Sequence, residues 1–226
     1  MSRPRLVESG RERDDFDPYR LLVYKMQTLR SVAREAALRG YSHRPKPVRV
    51  GSAALAVVEG TGLWGLADGY NTKRTGKDKN CSEYKTESKI RSAGFNKIIA
   101  YWIASSTNID EIEGIIEMRS STLVPCDVCH GDFEASPIVV PETLIITSGL
   151  DHDVLQINTV ERLARIMKER DERAINDQTI STPDFGRLLA RYDYLVNMQQ
   201  YIPVEKRLTG AELVVTSFLS YNDLSI

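Results

Sequence analysis

The sequence predicts a three-layer α/β domain, in which a central mixed sheet is flanked by helices and a helical extension follows at the C-terminus. Two runs, residues 48–58 and 98–104, are apolar on both faces, as expected of strands buried within a sheet. Amphipathic helical patterns alternate with such runs along the chain. With 226 residues, 42% of them hydrophobic, the chain is long enough to bury a substantial core.

The first helix has well-marked boundaries. Asp17 is a good N-cap, and Pro18 suits the first helical position, where a backbone N–H would be unpaired anyway. Gly40 ends the pattern. The apolar stripe between these ends consists of Tyr19, Leu22, Val23, Met26, Ala33, Ala36 and Ala37. Residues 1–16, rich in Arg, Asp and Glu, are expected to form a mobile tail.

A hairpin, a loop and a second helix are predicted next. The hairpin pairs residues 48–58 with residues 63–66 across Gly60. Residues 71–80 form a polar loop, and a helix over residues 81–94 leads into the strand at 98–104.

The second half of the chain is predicted as further helices and strands. In order, we expect a short helix at 110–118, a helix opened by PCDVC at 125–129, a strand at 143–147, helices at 154–170 and 185–200, and a strand at 213–219. We place a subdomain seam at the break 181–183, inside an extension, residues 151–226, that packs on a main domain at 17–150.

Composition excludes some classes of protein. The net charge of −1 gives no bulk attraction for nucleic acid. No apolar run has the length of a signal peptide or a membrane span, so we expect a cytoplasmic protein. Three cysteines in such a chain argue against a disulfide framework and leave metal binding, redox chemistry and simple burial open.

The cysteine spacing favours a metal. Cys126 and Cys129 follow Pro125, which places them in the first turn of a predicted helix, on one face. The helix dipole there favours the thiolate, the form that binds zinc. A CxxC alone is equally compatible with a metal, a redox pair or burial, but Cys81, after a capping Asn80, supplies a third thiolate. Three ligands with one coordination position open for water are typical of catalytic zinc.

Glu83 has a structural and a chemical interpretation. Asn80 and Glu83 match a capping box, which contributes about 1 kcal/mol to a helix. A dithiol redox protein would leave both Cys81 and Glu83 without a role. The carboxylate two residues after a candidate zinc ligand therefore favours acid–base chemistry.

These motifs resemble the zinc-dependent cytidine deaminase family, in the version whose first ligand is cysteine. The resemblance rests on CSE at 81–83 and PCDVC at 125–129. LRSVAREAALRGYSHRPKPVRVGSAALAV is similar to that family's opening helix, loop and first strand, and GYNTKRT to its Gly-x-Asn segment. It covers about residues 28–150 and implies a cytidine deaminase-like fold, with residues 17–150 as the catalytic domain. The zinc ligands that it implies are Cys81, Cys126 and Cys129.

The resemblance also implies roles for four residues near the metal. Glu83 would carry protons from water to the substrate's ring nitrogen and to the departing amine. Asn71 would hydrogen-bond a substrate hydroxyl, although a turn asparagine is its structural alternative. The backbone N–H of Ser82 would meet the ring carbonyl, and the Val124 carbonyl would accept from the leaving amine.

Departures from the family pattern concern the substrate. Lys73 stands two residues after Asn71, where nucleoside deaminases of this type carry a ribose-binding glutamate. A cation cannot accept from a hydroxyl, so we expect a substrate that bears an anionic group or lacks the ribose. Tyr84 and Asp127 replace the family's arginine and glycine. The basic loop at residues 73–79 would either bind a phosphate or carboxylate of the substrate or be an ordinary solvated loop.

The expected activity is hydrolytic deamination of a cytidine-like small molecule with Zn²⁺ as the cofactor, by a homo-oligomer. Two other functions stay open. A deaminase acting on a base in single-stranded nucleic acid would need a basic groove with aromatic stacking. A non-catalytic zinc module is disfavoured by the open coordination position and by Glu83.

Overall fold

The computed structural model describes residues 6–12, 16–42, 49–73, 81–106, 131, 133–150, 154–169 and 179–222. The strands are β1 Glu8–Arg11, β2 Tyr41–Ser42, β3 Arg49–Val58, β4 Leu63–Tyr70, β5 Thr72–Lys73, β6 Lys97–Ser106, β7 Val139–Gly149, β8 Val154–Thr159 and β9 Thr179–Ser181. The helices are α1 Pro18–Arg39, α2 Ser82–Ser92, α3 Val160–Glu169, α4 Phe185–Met198 and α5 Gly210–Asn222, with 3-10 turns at Gln199–Tyr201 and Val204–Lys206.

The strands form a seven-stranded mixed sheet in the order β1-β4-β3-β6-β7-β8-β9. β6 and β7 are parallel, and the other neighbouring pairs in this sheet are antiparallel. β2 and β5 form a separate parallel pair. The predicted three-layer α/β class, with a central mixed sheet flanked by helices, is confirmed.

Helices cover both faces of the sheet. One face carries a core cluster with α1, α4 and α5, in which Trp102 of β6 is fully buried. The other face carries a second cluster with α2 and α3, to which the neighbouring β6 residues Tyr101 and Ile103 belong. The alternation follows from the two-residue period of a strand, and it explains why β6 is apolar throughout.

The first helix matches its prediction. Asp17 is the N-cap, its Oδ1 accepts from the Tyr19 N–H at 2.9 Å, and Gly40 is the C-cap. The stripe that includes Leu22, Met26 and Ala33 is buried.

The predicted helix at 154–170 is wrong in its first part. Residues 154–159 form β8, which pairs antiparallel with β7, and the helix begins only at Val160. Leu155 and Ile157 point to one core face, so the segment alternates with the period of a strand.

The predicted strand at 213–219 is also wrong, because this segment lies inside α5. Thr209 and Glu212 form a capping box: Thr209 N–H donates to Glu212 Oε2 at 2.7 Å, and Glu212 N–H donates to Thr209 Oγ1 at 3.3 Å. Leu213, Val214 and Phe218 then face the core at helical spacing.

Residues near the N-terminus and residues just before the C-terminal helices form the two edge strands of the sheet. Residues 8–11, expected in a mobile tail, form β1 against β4. Residues 179–181 form β9 against β8, and residues of α4 and α5, which follow the break at 181–183, belong to the same core cluster as α1. The predicted helix at 110–118 lies outside the described residues. Within the described part of the chain, no helix is long and apolar enough to cross a membrane.

Candidate active site

The first turn of α2 carries three of the predicted site residues. Cys81 is the N-cap, with extended backbone and no side-chain cap bond, so the helix begins at Ser82 and not at Cys81 as predicted. Asn80, the predicted cap, lies outside the described residues. Cys81, Ser82 and Glu83 are all buried, with 6%, 0% and 6% of their surface exposed.

Close packing against the sheet fixes this turn. A Cβ on Gly69 of β4 would collide with the Ser82 carbonyl oxygen and with Thr86 Oγ1, so only glycine allows α2 to approach this closely. Thr86 Oγ1 also lies 2.7 Å from Ser52 Oγ of β3 and donates to the Ser82 carbonyl at 3.0 Å. The sequence motifs did not indicate Ser52 or Thr86. The pattern that could have indicated them is a polar side chain at a position that faces the interior.

The Glu83 carboxylate faces the sheet. Ser82 Oγ donates to Glu83 Oε2 at 2.7 Å. Burial, then the carboxylates of Glu87 and Glu83, raise the pKa of Tyr101 well above its ordinary value. Glu87, one turn after Glu83, accepts from Ser136 Oγ at 2.8 Å. Two carboxylates of α2 therefore lie near one fully buried tyrosine.

Asn71 lies at the end of β4, where the chain passes into β5. Its Oδ1 accepts from the Val50 N–H at 2.9 Å, and its own N–H donates to the Val50 carbonyl at 3.0 Å. Gly40 leaves room for this oxygen, since a Cβ there would collide with it. Asn71 is buried and its carboxamide orientation is fixed by β3.

Lys85 of α2 connects the helix to the Asn71 segment, and no sequence motif had indicated it. Its Nζ donates to the Tyr70 carbonyl at 3.1 Å and to Thr72 Oγ1 at 2.5 Å, on either side of Asn71. Lys73 lies in β5, opposite Ser42 of β2, and its side chain is outside the description.

The remaining predicted site residues, Val124, Cys126 and Cys129, lie outside the described residues. Within the part that the structure does describe, no three His, Cys, Asp or Glu side chains are grouped to hold a metal ion. Phe133, four residues after Cys129, contacts Tyr101 with ring centroids 5.0 Å apart. It belongs to the same core cluster as Ile90 of α2.

No family model and no curated protein sequence matches the chain. Similar solved structures include the cytidine deaminases of Burkholderia pseudomallei (16% identity, TM-score 0.44), Mycobacterium leprae (17%, 0.38) and Mycobacterium tuberculosis (20%, 0.35). The first two alignments cover 61% of this chain and 94% and 95% of the deaminase chains, and the third covers 53% and 82%.

Proposed function

We propose that this protein is a zinc-dependent hydrolytic deaminase that converts an aminopyrimidine nucleoside, nucleotide or related small molecule to its keto form and releases ammonia. The observation that carries the proposal is the buried first turn of α2, in which Cys81 and Glu83 lie two residues apart. A carboxylate beside a candidate zinc ligand is the arrangement that metal-assisted proton transfer requires.

Chain connectivity supports bringing the other two cysteines to this turn. β6 and β7, the strands on either side of the two cysteines in the chain, are parallel neighbours in the sheet. Phe133 packs on the α2 face, against Tyr101. Cys129 precedes Phe133 by only four residues in the chain, which supports proposing it as a ligand at this turn.

The donor set fits zinc. Thiolates are soft ligands that zinc prefers, and Cys81 lies at a helix N-terminus, where the dipole favours the thiolate. Cys81, Cys126 and Cys129 would hold the ion. When bound, zinc supplies the Lewis acidity that lowers the pKa of water toward neutrality.

Glu83 would move the protons. The oxygen of water bonds to the ring carbon while the bond from that carbon to the amine breaks. Glu83 takes the first proton of the water and delivers it to the ring nitrogen, then takes the second proton from the oxygen now bonded to the ring carbon and passes it to the amine, which leaves as ammonia. Ser82 Oγ holds the carboxylate for these transfers.

The binding groups would come from both sides of this carboxylate. The Ser82 N–H would meet the ring carbonyl, and the Val124 carbonyl would accept from the amine. Asn71, whose carboxamide is oriented by the Val50 N–H, would hydrogen-bond a substrate hydroxyl. Lys73 would contact an anionic group of the substrate. A homo-oligomeric state, a cytoplasmic location and the division into residues 17–150 and 151–226 stay predictions.

Metal analysis and an ammonia assay test the proposal. The purified protein should contain about one zinc per chain, and Cys126→Ala and Cys129→Ala should each remove it and lower stability, because metal-binding free energy is also folding free energy. Ammonia release should be measured with cytidine, deoxycytidine, their monophosphates, adenosine, guanine and single-stranded DNA. As a control, zinc added to chelator-treated wild type should restore activity.

Two outcomes contradict the proposal. One is full activity in protein that contains no zinc. The other is zinc-loaded, folded protein that releases ammonia from none of these compounds.

A further inference from the structure

Basic side chains collect along one edge of β4. β1 pairs with β4 only over Leu63–Leu66, so within the described residues no strand covers Ala67–Tyr70 on that side. Arg39, at the end of α1, and Lys85 and Lys89, on α2, reach this edge from the two faces of the sheet. We call Arg39, Tyr70, Lys85 and Lys89 the basic patch.

The tyrosine ring organises two of the cations. The Arg39 guanidinium and the Lys85 ammonium each lie 5.1 Å from the centroid of the Tyr70 ring. Cations at this distance are attracted by the negative face of an aromatic ring. Each of the two positive groups is therefore held at the Tyr70 ring before any ligand arrives.

Two of the three cations of the patch share a single carboxylate. Lys89 Nζ lies 2.5 Å from Asp68 Oδ1, and Arg39 Nη2 contacts Asp68 Oδ2, so among the described residues both cations share one carboxylate. Burial opposes ionisation of Asp68, but its hydrogen bonds from Lys89 and Arg39 lower its pKa overall. The Arg39 side chain is 52% exposed and still offers guanidinium N–H groups to solvent.

The patch is continuous with the candidate active site. Lys85 Nζ donates to the Tyr70 carbonyl and to Thr72 Oγ1, the residues on either side of Asn71. Arg39 is followed directly by Gly40, which packs against the Asn71 carboxamide. If Asn71 binds a hydroxyl of a molecule, the atoms next to that hydroxyl would lie beside the patch.

We infer that the basic patch binds a phosphate group of the substrate, so that the substrate is a nucleotide of small size. This inference rests on the proposed function. Arginine suits phosphate because its planar guanidinium forms paired hydrogen bonds, and the lysines add point charges. A small nucleotide is favoured over a nucleic-acid strand because the patch is local and the chain as a whole carries a net charge of −1.

Binding to zinc-loaded Glu83→Gln protein tests the inference without turnover. Calorimetry should compare cytidine 5′-monophosphate, cytidine and a short oligodeoxycytidine. The monophosphate should bind about tenfold or more tightly than cytidine, since one charge-assisted contact is worth about 1.5 to 3 kcal/mol. Added Arg39→Gln should remove most of this advantage and leave cytidine binding unchanged. Added salt should weaken the monophosphate alone.

Arg91→Gln is the matched control, because Arg91 lies on another side of α2, 3.8 Å from Glu87 and away from Tyr70. It should leave the binding of both ligands unchanged. Equal effects of Arg39→Gln and Arg91→Gln on monophosphate binding would contradict the inference, because overall charge and not the basic patch would then explain the affinity. Tighter binding of the oligonucleotide than of the monophosphate would overturn the small-substrate inference, as would failure of both cytidine and its monophosphate to bind.

The inference and the proposed function can fail separately. If wild type deaminates cytidine and its monophosphate equally well, the function stands and the phosphate inference fails. If the monophosphate binds in an Arg39-dependent manner but no compound releases ammonia, the patch stands and the deaminase proposal fails.

Discussion

At the scale of single residues, the hydrogen bond of Glu83 separates its two interpretations. A capping box needs glutamate at the third helical position, and Glu83 is at the second because Cys81 is the N-cap. The carboxylate instead accepts from Ser82 Oγ inside a buried environment. Burial of a carboxylate is unfavourable unless it is hydrogen-bonded, and Ser82 Oγ supplies such a bond to Glu83.

The first prediction at this scale concerns Glu83→Gln. Glutamine keeps the size of the side chain and can still accept from Ser82 Oγ, but it cannot carry a proton. Zinc content and the circular dichroism spectrum should stay as in wild type, while turnover falls by at least about 10²-fold. Glu87→Gln is the matched control, since it removes another buried carboxylate one turn away. Equal losses in the two variants would show that Glu83 has no special role in the chemistry.

At the scale of elements, the site depends on how closely α2 approaches β4. Gly69 allows the first turn of the helix to lie against the strand, and the pair of hydroxyls from Ser52 and Thr86 fixes its position. The same strand ends at Tyr70, directly before Asn71. The end of β4 therefore positions both the first turn of α2 and the Asn71 carboxamide. This arrangement also explains the glycine in the GYN segment at 69–71.

Gly69→Ala should disturb this contact directly. Its methyl group would meet backbone and side-chain atoms of α2 that cannot move independently, so we expect destabilisation of about 1 to 3 kcal/mol in urea unfolding, together with weaker zinc retention. Gly186→Ala is the control, because it adds the same methyl group at an exposed position in the first turn of α4. That variant should be neutral or slightly stabilising. Neutral behaviour of Gly69→Ala would contradict the close approach.

At the scale of the whole molecule, the C-terminal helices share one core with the first helix. Tyr192 of α4 donates its hydroxyl proton to Asp17 Oδ2 at 2.7 Å, and Asp17 also caps α1. Burial, then this hydrogen bond, raises the pKa of Tyr192. Phe218 of α5 is fully buried in the cluster that contains Leu22 and Trp102. The extension is therefore part of the structure that supports the sheet.

Phe218→Ala tests this integration. Removing a fully buried phenylalanine should lower the free energy of unfolding by about 3 to 5 kcal/mol. The protein should still unfold in one transition, with the tryptophan signal and the helical signal changing together. Tyr201→Ala, at a side chain that is 75% exposed, should change stability by less than about 0.5 kcal/mol. Early melting of helix, before the tryptophan signal changes, would contradict a shared core.

The limits of sequence-based prediction follow from how local each signal is. The start of α1 is encoded by Asp17 and Pro18 themselves, and β6 by an apolar run whose β-branched and aromatic residues favour a strand. Residues 154–159 and 213–219 were assigned wrongly because a short apolar run is compatible with a helix or a strand until its partners are known. Residues 154–159 form a strand because they pair with β7. Residues 213–219 form part of a helix because their apolar side chains face the core at helical spacing.

The sequence by itself determined the α/β class, the two cysteine motifs and the position of Glu83, because each can be recognised from residues that are close together in the chain. Only the tertiary structure decided that Gly69 lets α2 pack closely against β4, and that Phe133 lies on the same face of the sheet as α2. It also decided that Arg39, Tyr70, Lys85 and Lys89 form one patch. Those four residues come from α1, β4 and α2. Their proximity depends on sheet order and on the end of β1, which long-range packing fixes and no local pattern records.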